Sequence, residues 1–340
     1  AASDVYKRQA YIKAQNPLQR GFTERASSTN TELMLTEVIA ESKDNKEPVF
    51  IQFLDARKAF DVVWHDGMLC SLHDQGITGS LWALHSSLYS GIKSCIKWNG
   101  KMSNDVIEDE QGLRQGGLTS ADSFKTKENP LLNKIESSQD AFHIGAINVG
   151  APTCADDIAL CSKTLTGAKI LNEMAVRDSC TQRYSYSTSK SKVMIANPNS
   201  VSKVQLEMFP IQLLDEKLDN TESEVHLGIR RNPKDKSSET IKAKIKCSRR
   251  STNAMMGAGL HGLNGLNPCV SKKLIETYII PKLLHGLDGV ILTDREIAEL
   301  ETYYRNLLKQ LQHMPKNTAN EIVYLLLGAL PIEGHLDLRT

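Results

Sequence analysis

Two adjacent acids interrupt an apolar run, and this arrangement constrains the chain more than any other feature. The run is TCADDIALCS, residues 153–162, and the acids are Asp156 and Asp157. Because apolar residues resume at once, the pattern predicts a strand, an acidic turn and a second strand. Aspartate is common in turns, so a plain turn is one explanation. A divalent metal ion is the other, because such an ion needs clustered oxygen ligands.

A third acid ends another predicted strand. PVFIQFLD, residues 48–55, is apolar up to Asp55, about 100 residues before Asp156. If these strands are neighbours in one sheet, three carboxylates meet at one edge. Such a set suits two divalent ions held about 3.5–4 Å apart. Mg²⁺ is the ion we expect, with Mn²⁺ as the alternative, because Mg²⁺ prefers carboxylate and phosphate oxygens.

The rest of the pattern predicts an α+β region to about residue 228 and a helical region after it. Two Thr/Glu pairs have the spacing of capping boxes at helix starts: Thr29 with Glu32, and Thr293 with Glu296. The dipeptide at residues 99–100, Asn-Gly, predicts a hairpin turn between two short strands.

Charge is balanced overall but not locally. The formal net charge of the 340 residues is +1, which neither favours nor excludes a nucleic-acid partner. Residues 230–250, however, hold nine Lys or Arg against two acids. Basic residues along one side of an amphipathic helix can follow a phosphate backbone. A solvated helix face is the alternative explanation.

The expected cellular compartment of the protein follows from three features that the sequence lacks. There is no apolar run long enough to span a bilayer and no apolar leader at the N-terminus, so we expect neither membrane insertion nor secretion. The seven cysteines are scattered without a C-x-x-C pair, which argues against disulfides and a cysteine zinc site. We therefore expect an intracellular protein, in the nucleus, the cytoplasm or both. The missing initiator Met suggests a fragment.

Several segments, in order, resemble the motifs of reverse transcriptases from non-LTR (LINE-type) retrotransposons. Motif A is matched by FLDARKAFDVVWHDGM, motif B by QGLRQGGLTS, motif C by CADDIAL, motif D by SKSKVMIAN and motif E by VHLGIRR. The segment QRGFTERASSTNTEL resembles the stretch that precedes motif A, and LIETYIIPKLLHGLDGVILTDREIAELETYYRNLLKQL resembles the thumb and following helices. The order and spacing make the resemblance specific.

The resemblance implies a right-hand polymerase fold of the α+β class. An antiparallel palm sheet with helices would be followed by a helical thumb, and the fingers would be truncated. The implied domains are a residual fingers segment at 1–46, a palm at 47–228, a thumb-like region at 229–292 and a C-terminal helical extension at 293–340. The implied activity is two-metal nucleotidyl transfer with an RNA template, a DNA primer and dNTPs.

The resemblance also implies roles for individual residues. Asp55 and Asp156 would bind the metal ions, with Asp157 as the supporting acid. The nucleotide and template pocket would be formed by Phe60, Gln115, Gly116 and Lys190. The thumb would hold duplex through the basic helix, represented by Lys242, Lys246 and Arg249. Without the resemblance, the residues alone favour a core aromatic for Phe60, a plain loop at residues 115–116 and a solvated surface for the lysines.

Three departures from the family pattern favour a weakened enzyme. Cys154 stands where Tyr is usual in motif C, and the upstream fingers strands and an endonuclease domain are missing. After motif B, polar or helix-breaking residues occupy positions where apolar side chains are expected: Lys125, Lys127, Glu128 and Pro130. An inactive retroelement remnant that at most binds nucleic acid is therefore one alternative, and another palm polymerase, such as an RNA-directed RNA polymerase, is the other.

Overall fold

The computed structural model describes residues 15–232, 237–287 and 292–338. These residues fall into two compact units, and the chain passes from one to the other between Leu227 and Gly228. This boundary lies next to the predicted end of the palm at residue 228. The assignment of 1–46, 47–228, 229–292 and 293–340 to fingers, palm, thumb and extension remains a proposal.

The first unit has an α+β architecture, as the sequence predicts. Its helices in chain order are α1 (Ser28–Asp44), α2 (His65–Asp74), α3 (Gly79–Tyr89), α4 (Ser120–Glu136), α5 (Leu165–Thr181) and α6 (Ser200–Met208). Its longer strands are β1 (Val49–Asp55), β9 (Asp157–Ser162) and β10 (Lys192–Ala196). The short strands are β2 (Lys93–Ser94), β3 (Lys97–Trp98), β4 (Lys101–Met102), β5 (Ile107–Glu108), β6 (His143–Ile144), β7 (Ile147–Asn148), β8 (Thr153–Cys154), β11 (Gln212–Leu213), β12 (Glu216–Lys217), β13 (Asp219–Asn220) and β14 (Glu224–His226).

A five-stranded sheet in the order β13-β10-β1-β9-β8 forms the centre of this unit. Strand β1 lies in the middle and pairs antiparallel with both β10 and β9. Strands β8 and β9 form a hairpin around Ala155 and Asp156, while β13 runs parallel to β10. The predicted strand, acidic turn and strand at residues 153–162 are therefore confirmed, although Asp157 already belongs to β9.

Alternation along β1 gives the sheet two apolar faces, because successive side chains of a strand point to opposite sides. Phe50 and Leu54 pack with Leu131 and Leu132 of α4 and with Leu171 of α5. On the other face the neighbouring β1 residues pack against α1, in a cluster that includes Val49, Ile51, Phe53, Leu35, Val38 and Ile39. The sheet is therefore held from both sides, which fixes the ends of its strands.

One of the two predicted capping boxes is wrong. Helix α1 begins at Ser28 after an extended Ser27, whose backbone N–H donates to Asn30 Oδ1 at 2.7 Å. Thr29 therefore already lies inside the first turn, and Glu32 is buried rather than closing a box. The second box is confirmed, because the Thr293 N–H donates to Glu296 Oε2 at 2.9 Å. The hairpin at residues 99–100 is also confirmed, since β3 pairs with β4 around it.

The described part of the second unit is helical apart from the short strand β15 (Ile229–Arg231). Its helices are α7 (Ser237–Met256), α8 (Pro268–Leu274), α9 (Ile280–Leu284), α10 (Asp294–Leu311), α11 (Asn320–Leu327) and α12 (Ile332–Asp337), with a π-helical turn at Ile275–Ile279 between α8 and α9. Their apolar sides form one buried core, to which α10 contributes Leu300, Tyr304 and Leu308. No helix among the described residues is long and apolar enough to cross a lipid bilayer.

Candidate active site

The three acids singled out by the sequence meet at one end of the central sheet. In the antiparallel pairing of β1 with β9, Asp55 lies directly opposite Asp157. Asp156 is the second residue of the two-residue turn and directly precedes Asp157, the first residue of β9. All three acids therefore lie at the same end of the neighbouring strands, which is called the acidic edge below. The expectation that the two acid-bearing strands are antiparallel neighbours is confirmed, whereas the metal-binding roles of the acids are not tested by this pairing.

The segment that follows α5 closes around the end of β1. The Ser187 N–H donates to the Asp55 carbonyl at 2.8 Å, and the Asp55 N–H donates to Ser191 Oγ at 3.1 Å. Between these two contacts, Lys190 Nζ lies 3.4 Å from Asp55 Oδ2, with the lysine side chain 70% exposed. The structure thus brings the predicted phosphate-contacting lysine to the acidic edge.

Burial and nearby negative charges disfavour ionisation of Asp156 and Asp157. Burial raises the pKa of Asp156, and the nearby charge of Asp55 raises it further. Burial also raises the pKa of Asp157, as do the charges of Asp156 and Asp55, although His226 acts in the opposite direction. Clustered carboxylates that resist ionisation are stabilised by an added cation, since an opposite charge favours the ionised form.

The fit of this edge to a metal ion rests on one oxygen atom. Among the described residues, no three His, Cys, Asp or Glu side chains are arranged as a ready metal site. Asp55 Oδ2 is nevertheless buried and accepts no hydrogen bond from any described residue, since Lys190 is near it only as an ion-pair partner. A buried carboxylate oxygen without a hydrogen bond is costly, and the largely exposed ammonium of Lys190 compensates it only weakly. Asp55, with the neighbouring Asp156 and Asp157, therefore suits a hard divalent ion, which prefers oxygen ligands.

Cys154 occupies the last position of β8, opposite Asp157. Burial and the charges of Asp157 and Asp156 raise the pKa of its thiol to about 11. The thiol therefore stays protonated at neutral pH and adds no further negative charge to the edge. The departure from tyrosine at this position leaves the strand pairing intact.

Phe60 is half-buried in an aromatic group. Its ring stacks on Phe124 of α4 with 4.4 Å between centroids, and Phe22 meets it edge-on at 5.7 Å. The ring is therefore packed on one side, as a core aromatic would be, and retains exposed surface on the other. Its predicted contact with the nucleotide sugar stays a prediction.

The glycine-rich loop before α4 is open to solvent. Gln115 and Gly116 are both exposed. Gly116 has a φ of +76° with open space around its Cα, so its backbone conformation is what favours glycine there. A Cβ on Gly117 would lie 2.4 Å from Ser120 Oγ and 3.0 Å from the Arg114 carbonyl oxygen, so a side chain there would force the Ser120 hydroxyl to move. The loop leaves Gln115 accessible to a ligand.

The polar residues after motif B form an ordered, buried part of α4. Lys125 Nζ lies 3.1 Å from Asp122 Oδ1 and donates to the Phe22 carbonyl at 3.0 Å. Lys127 Nζ lies 2.8 Å from Glu128 Oε1 and 3.5 Å from the ring centroid of Tyr184. The charged side chains are buried, but each lysine has partners, and Pro130 is accommodated within the helix.

Three basic residues of α7 share one exposed side of this helix. Lys242, Lys246 and Arg249 are exposed, at i, i+4 and i+7 spacing, while Ile241 and Ile245 are buried on the opposite side. Not every basic residue of the block belongs to this face. Lys244 and Arg231 are buried, and Lys234 and Lys236 lie outside the described residues.

Comparison with known proteins identifies the family. A family model described as "Reverse transcriptase (RNA-dependent DNA polymerase)" matches residues 4–230, which is more than half of the chain. The chain belongs to the reverse transcriptase family.

Relatives of this reverse transcriptase domain are found among Pol polyproteins of R2 retrotransposable elements. The polyprotein of the type-1 element R2 from Popillia japonica is 22% identical over 91% of the chain and 43% of its own length. That of the type-2 element R2DM from Drosophila melanogaster is 25% identical over 46% of the chain and 15% of its own length. The matched regions thus span less than half of each of these relatives. The non-LTR retrotransposon relationship expected from the motifs is confirmed.

Solved structures show a related fold. The structure of apo telomerase from Candida tropicalis matches 90% of this chain and 51% of its own, with a TM-score of 0.50 and 11% sequence identity. At this identity the similarity concerns the fold alone. It agrees with the α+β polymerase architecture that the motifs implied.

Sequence reasoning missed a buried pair that acts electrostatically on Asp157, formed by Glu32 and His226. Glu32 Oε1 lies 2.9 Å from His226 Nδ1, and both side chains are almost fully buried. The imidazole packs on Phe53 of β1, with ring centroids 5.1 Å apart, and His226 opposes the rise in the pKa of Asp157. Because 194 residues separate the pair, only the tertiary fold shows the contact.

Proposed function

We propose that this domain extends a DNA primer on an RNA template, using dNTPs and two divalent ions, Mg²⁺ foremost and Mn²⁺ as the alternative. The single observation that supports this most is the pairing of Asp55 with Asp157 on neighbouring antiparallel strands. Asp55 and Asp156 would hold the ions, and Asp157 would support them. Ions bound there would activate the attacking oxygen and neutralise the departing pyrophosphate.

The chain's own groups position the reactants around this edge. Lys190, 3.4 Å from Asp55, is close enough to contact the phosphates of a nucleotide bound at the acids. Gln115 and Gly116 are exposed and would line the nucleotide and template pocket. The remaining surface of Phe60, held in place by Phe124, would lie against the sugar. Phosphoryl transfer depends largely on such positioning and on charge neutralisation.

Nucleic acid would be held by the exposed side of α7. Lys242, Lys246 and Arg249 provide three positive charges on one side of a helix, which is an arrangement that can follow a phosphate backbone. In this proposal residues 47–228 are the palm, 229–292 the thumb-like region and 293–340 its helical extension, with 1–46 belonging to the fingers.

A single-nucleotide extension assay tests the activity. The protein is incubated with a labelled DNA primer on an RNA template, Mg²⁺ and either dNTPs or NTPs. We expect slow extension with dNTPs that Asp156→Asn abolishes, because a neutral amide is a poorer metal ligand. Asp178→Asn, which neutralises a buried acid outside this edge, is the matched control and should retain the rate. Equal extension by Asp156→Asn would overturn the catalytic assignment, and a preference for NTPs would favour an RNA polymerase.

A further inference from the structure

The segment at residues 18–21 lies along the outer edge of β8. The Thr153 N–H donates to the Leu18 carbonyl at 3.0 Å, and the Arg20 N–H donates to the Thr153 carbonyl at 2.8 Å. These bonds pair Gln19 with Thr153 in parallel. The pairing brings the Gln19 side chain to the turn that carries Asp156.

The Gln19 amide bonds both backbone groups of Ala155. Its Oε1 accepts from the Ala155 N–H at 2.8 Å, and its Nε2 donates to the Ala155 carbonyl at 3.0 Å. The same Oε1 accepts from the Gly21 N–H at 2.8 Å. Gln19 is 1% exposed, so these bonds are shielded from water. Among side chains, only the amides of Asn and Gln offer a fixed donor beside an acceptor in this way.

The turn needs such support because its backbone is strained. Ala155 has a φ of +59°, a left-handed conformation that costs an L-residue roughly 1–2 kcal/mol. Strained backbone persists only where surrounding contacts hold it. Gly21 belongs to the same contact, since a Cβ there would lie 2.1 Å from the Ala155 nitrogen. A residue with a side chain at position 21 would therefore collide with the backbone of the turn.

We propose that Gln19 is a positioning residue for metal binding. By fixing both peptide groups around Ala155, it sets the backbone that presents Asp156 beside Asp55. The inference rests on the proposed function, because it assumes that Asp156 is a metal ligand. Residues that orient ligands in this indirect way typically change metal affinity about 10–100-fold when they are replaced.

Asn16 offers a matched control in the same segment. It is 3% exposed and its side chain also makes three hydrogen bonds. Two of these go to Asn133 and Glu136 of α4, at 2.7 Å each, and the third accepts from the Leu18 N–H. None of them involves the turn. Replacing either Asn16 or Gln19 by leucine therefore removes the three hydrogen bonds of a buried side chain, but only Gln19→Leu releases Ala155.

The test is a Mn²⁺ titration of the protein, followed by electron paramagnetic resonance of the free ion, with folding checked by circular dichroism. We expect Gln19→Leu to weaken Mn²⁺ binding about tenfold or more and Asn16→Leu to change it less than about twofold. If Gln19→Leu does not fold, Gln19→Asn replaces it, because its amide is one methylene too short to reach both Ala155 groups. The same tenfold threshold then applies.

The Asp156→Asn variant separates the inference from the proposed function. If Asp156→Asn weakens Mn²⁺ binding and the Gln19 variant does not, the positioning role is wrong while the metal site stands. Equal weakening by Asn16→Leu and Gln19→Leu would also overturn the role, since the effect would then be a general loss of stability. If Asp156→Asn leaves Mn²⁺ binding unchanged, the metal site itself is wrong and the inference falls with it.

Discussion

Asp55, the last residue of β1, and Asp157, the first residue of β9, lie directly opposite each other on neighbouring antiparallel strands. Both strands are buried along most of their length and end together at this edge. The rigid centre of the sheet therefore fixes the separation of the two acids. Groups held in this way pre-organise a site, because little reorganisation is needed when a ligand binds.

The first prediction concerns the exposed side of α7. Replacing Lys242, Lys246 and Arg249 together by Ala should flatten the salt dependence of nucleic-acid binding, by up to about one unit of slope for each phosphate that the variant no longer neutralises. Fluorescence anisotropy with a labelled RNA–DNA duplex at several salt concentrations measures the slope. As a control, three exposed lysines of the first unit, Lys46, Lys203 and Lys217, are replaced together. An unchanged slope in the α7 variant would mean that this side is merely solvated.

Lys190 should compete with a metal ion for Asp55. Because its ammonium lies 3.4 Å from Asp55 Oδ2 but is 70% exposed, the interaction contributes at most about 1 kcal/mol. Lys190→Met should therefore strengthen Mn²⁺ binding about two- to fivefold, and raise KM for dNTPs if the lysine contacts phosphates. Lys192→Met, which breaks the 2.6 Å pair with Asp219, is the control and should leave Mn²⁺ binding unchanged. Weaker Mn²⁺ binding in Lys190→Met would contradict this account.

The buried pair of Lys127 and Glu128 should stabilise α4 only while both charges are present. Glu128→Leu leaves Lys127 without its carboxylate partner, so the free energy of unfolding should fall by about 3–5 kcal/mol. The double variant Lys127→Met/Glu128→Leu should recover most of this loss, because apolar side chains of similar size often replace a buried ion pair without cost. Urea unfolding gives both values. A double variant as unstable as Glu128→Leu would show that the pair is not the cause.

Asp178 should make stability fall as the pH rises. Burial, and then the charge of Glu128, raise its pKa from 3.8 to about 6. Because the folded pKa lies above the unfolded one, the contribution is fully present below about pH 4 and is lost as the pH rises through about 6. Relative to wild type, Asp178→Asn should therefore gain up to about 3 kcal/mol between pH 4 and pH 7.5. Urea unfolding across this range measures it, and a constant difference would show that Asp178 titrates normally.

The sequence predicts those features that depend on neighbouring residues. The apolar runs up to Asp55 and around Asp156 predict the strands and the turn, since alternation and turn residues are local signals. The Thr293 box is predicted for the same reason. The Thr29 box is wrong because Ser27 and Asn30 offer an equally good start two residues earlier.

Contacts between distant segments could not be predicted. Gln19 and Ala155 are 136 residues apart, and nothing in the residues around Gln19 indicates that its amide is buried at a turn. From the sequence, the lysines of α4 indicate a loss of buried apolar area. In the structure they have partners from distant segments, such as the Phe22 carbonyl and the Tyr184 ring. Pairing of buried charges is a tertiary property, so it has no local signature.

The central claim is that Asp55, Asp156 and Asp157 form a divalent-metal site, and anomalous diffraction from crystals soaked in Mn²⁺ tests it most directly. We predict anomalous peaks within bonding distance of Asp55 and Asp156, whose nearest carboxylate oxygens should lie about 4–6 Å apart. Carboxylates on opposite sides of the sheet, or separated by more than roughly 10 Å, would contradict the claim. Well-ordered acids that bind no Mn²⁺ would contradict it as well.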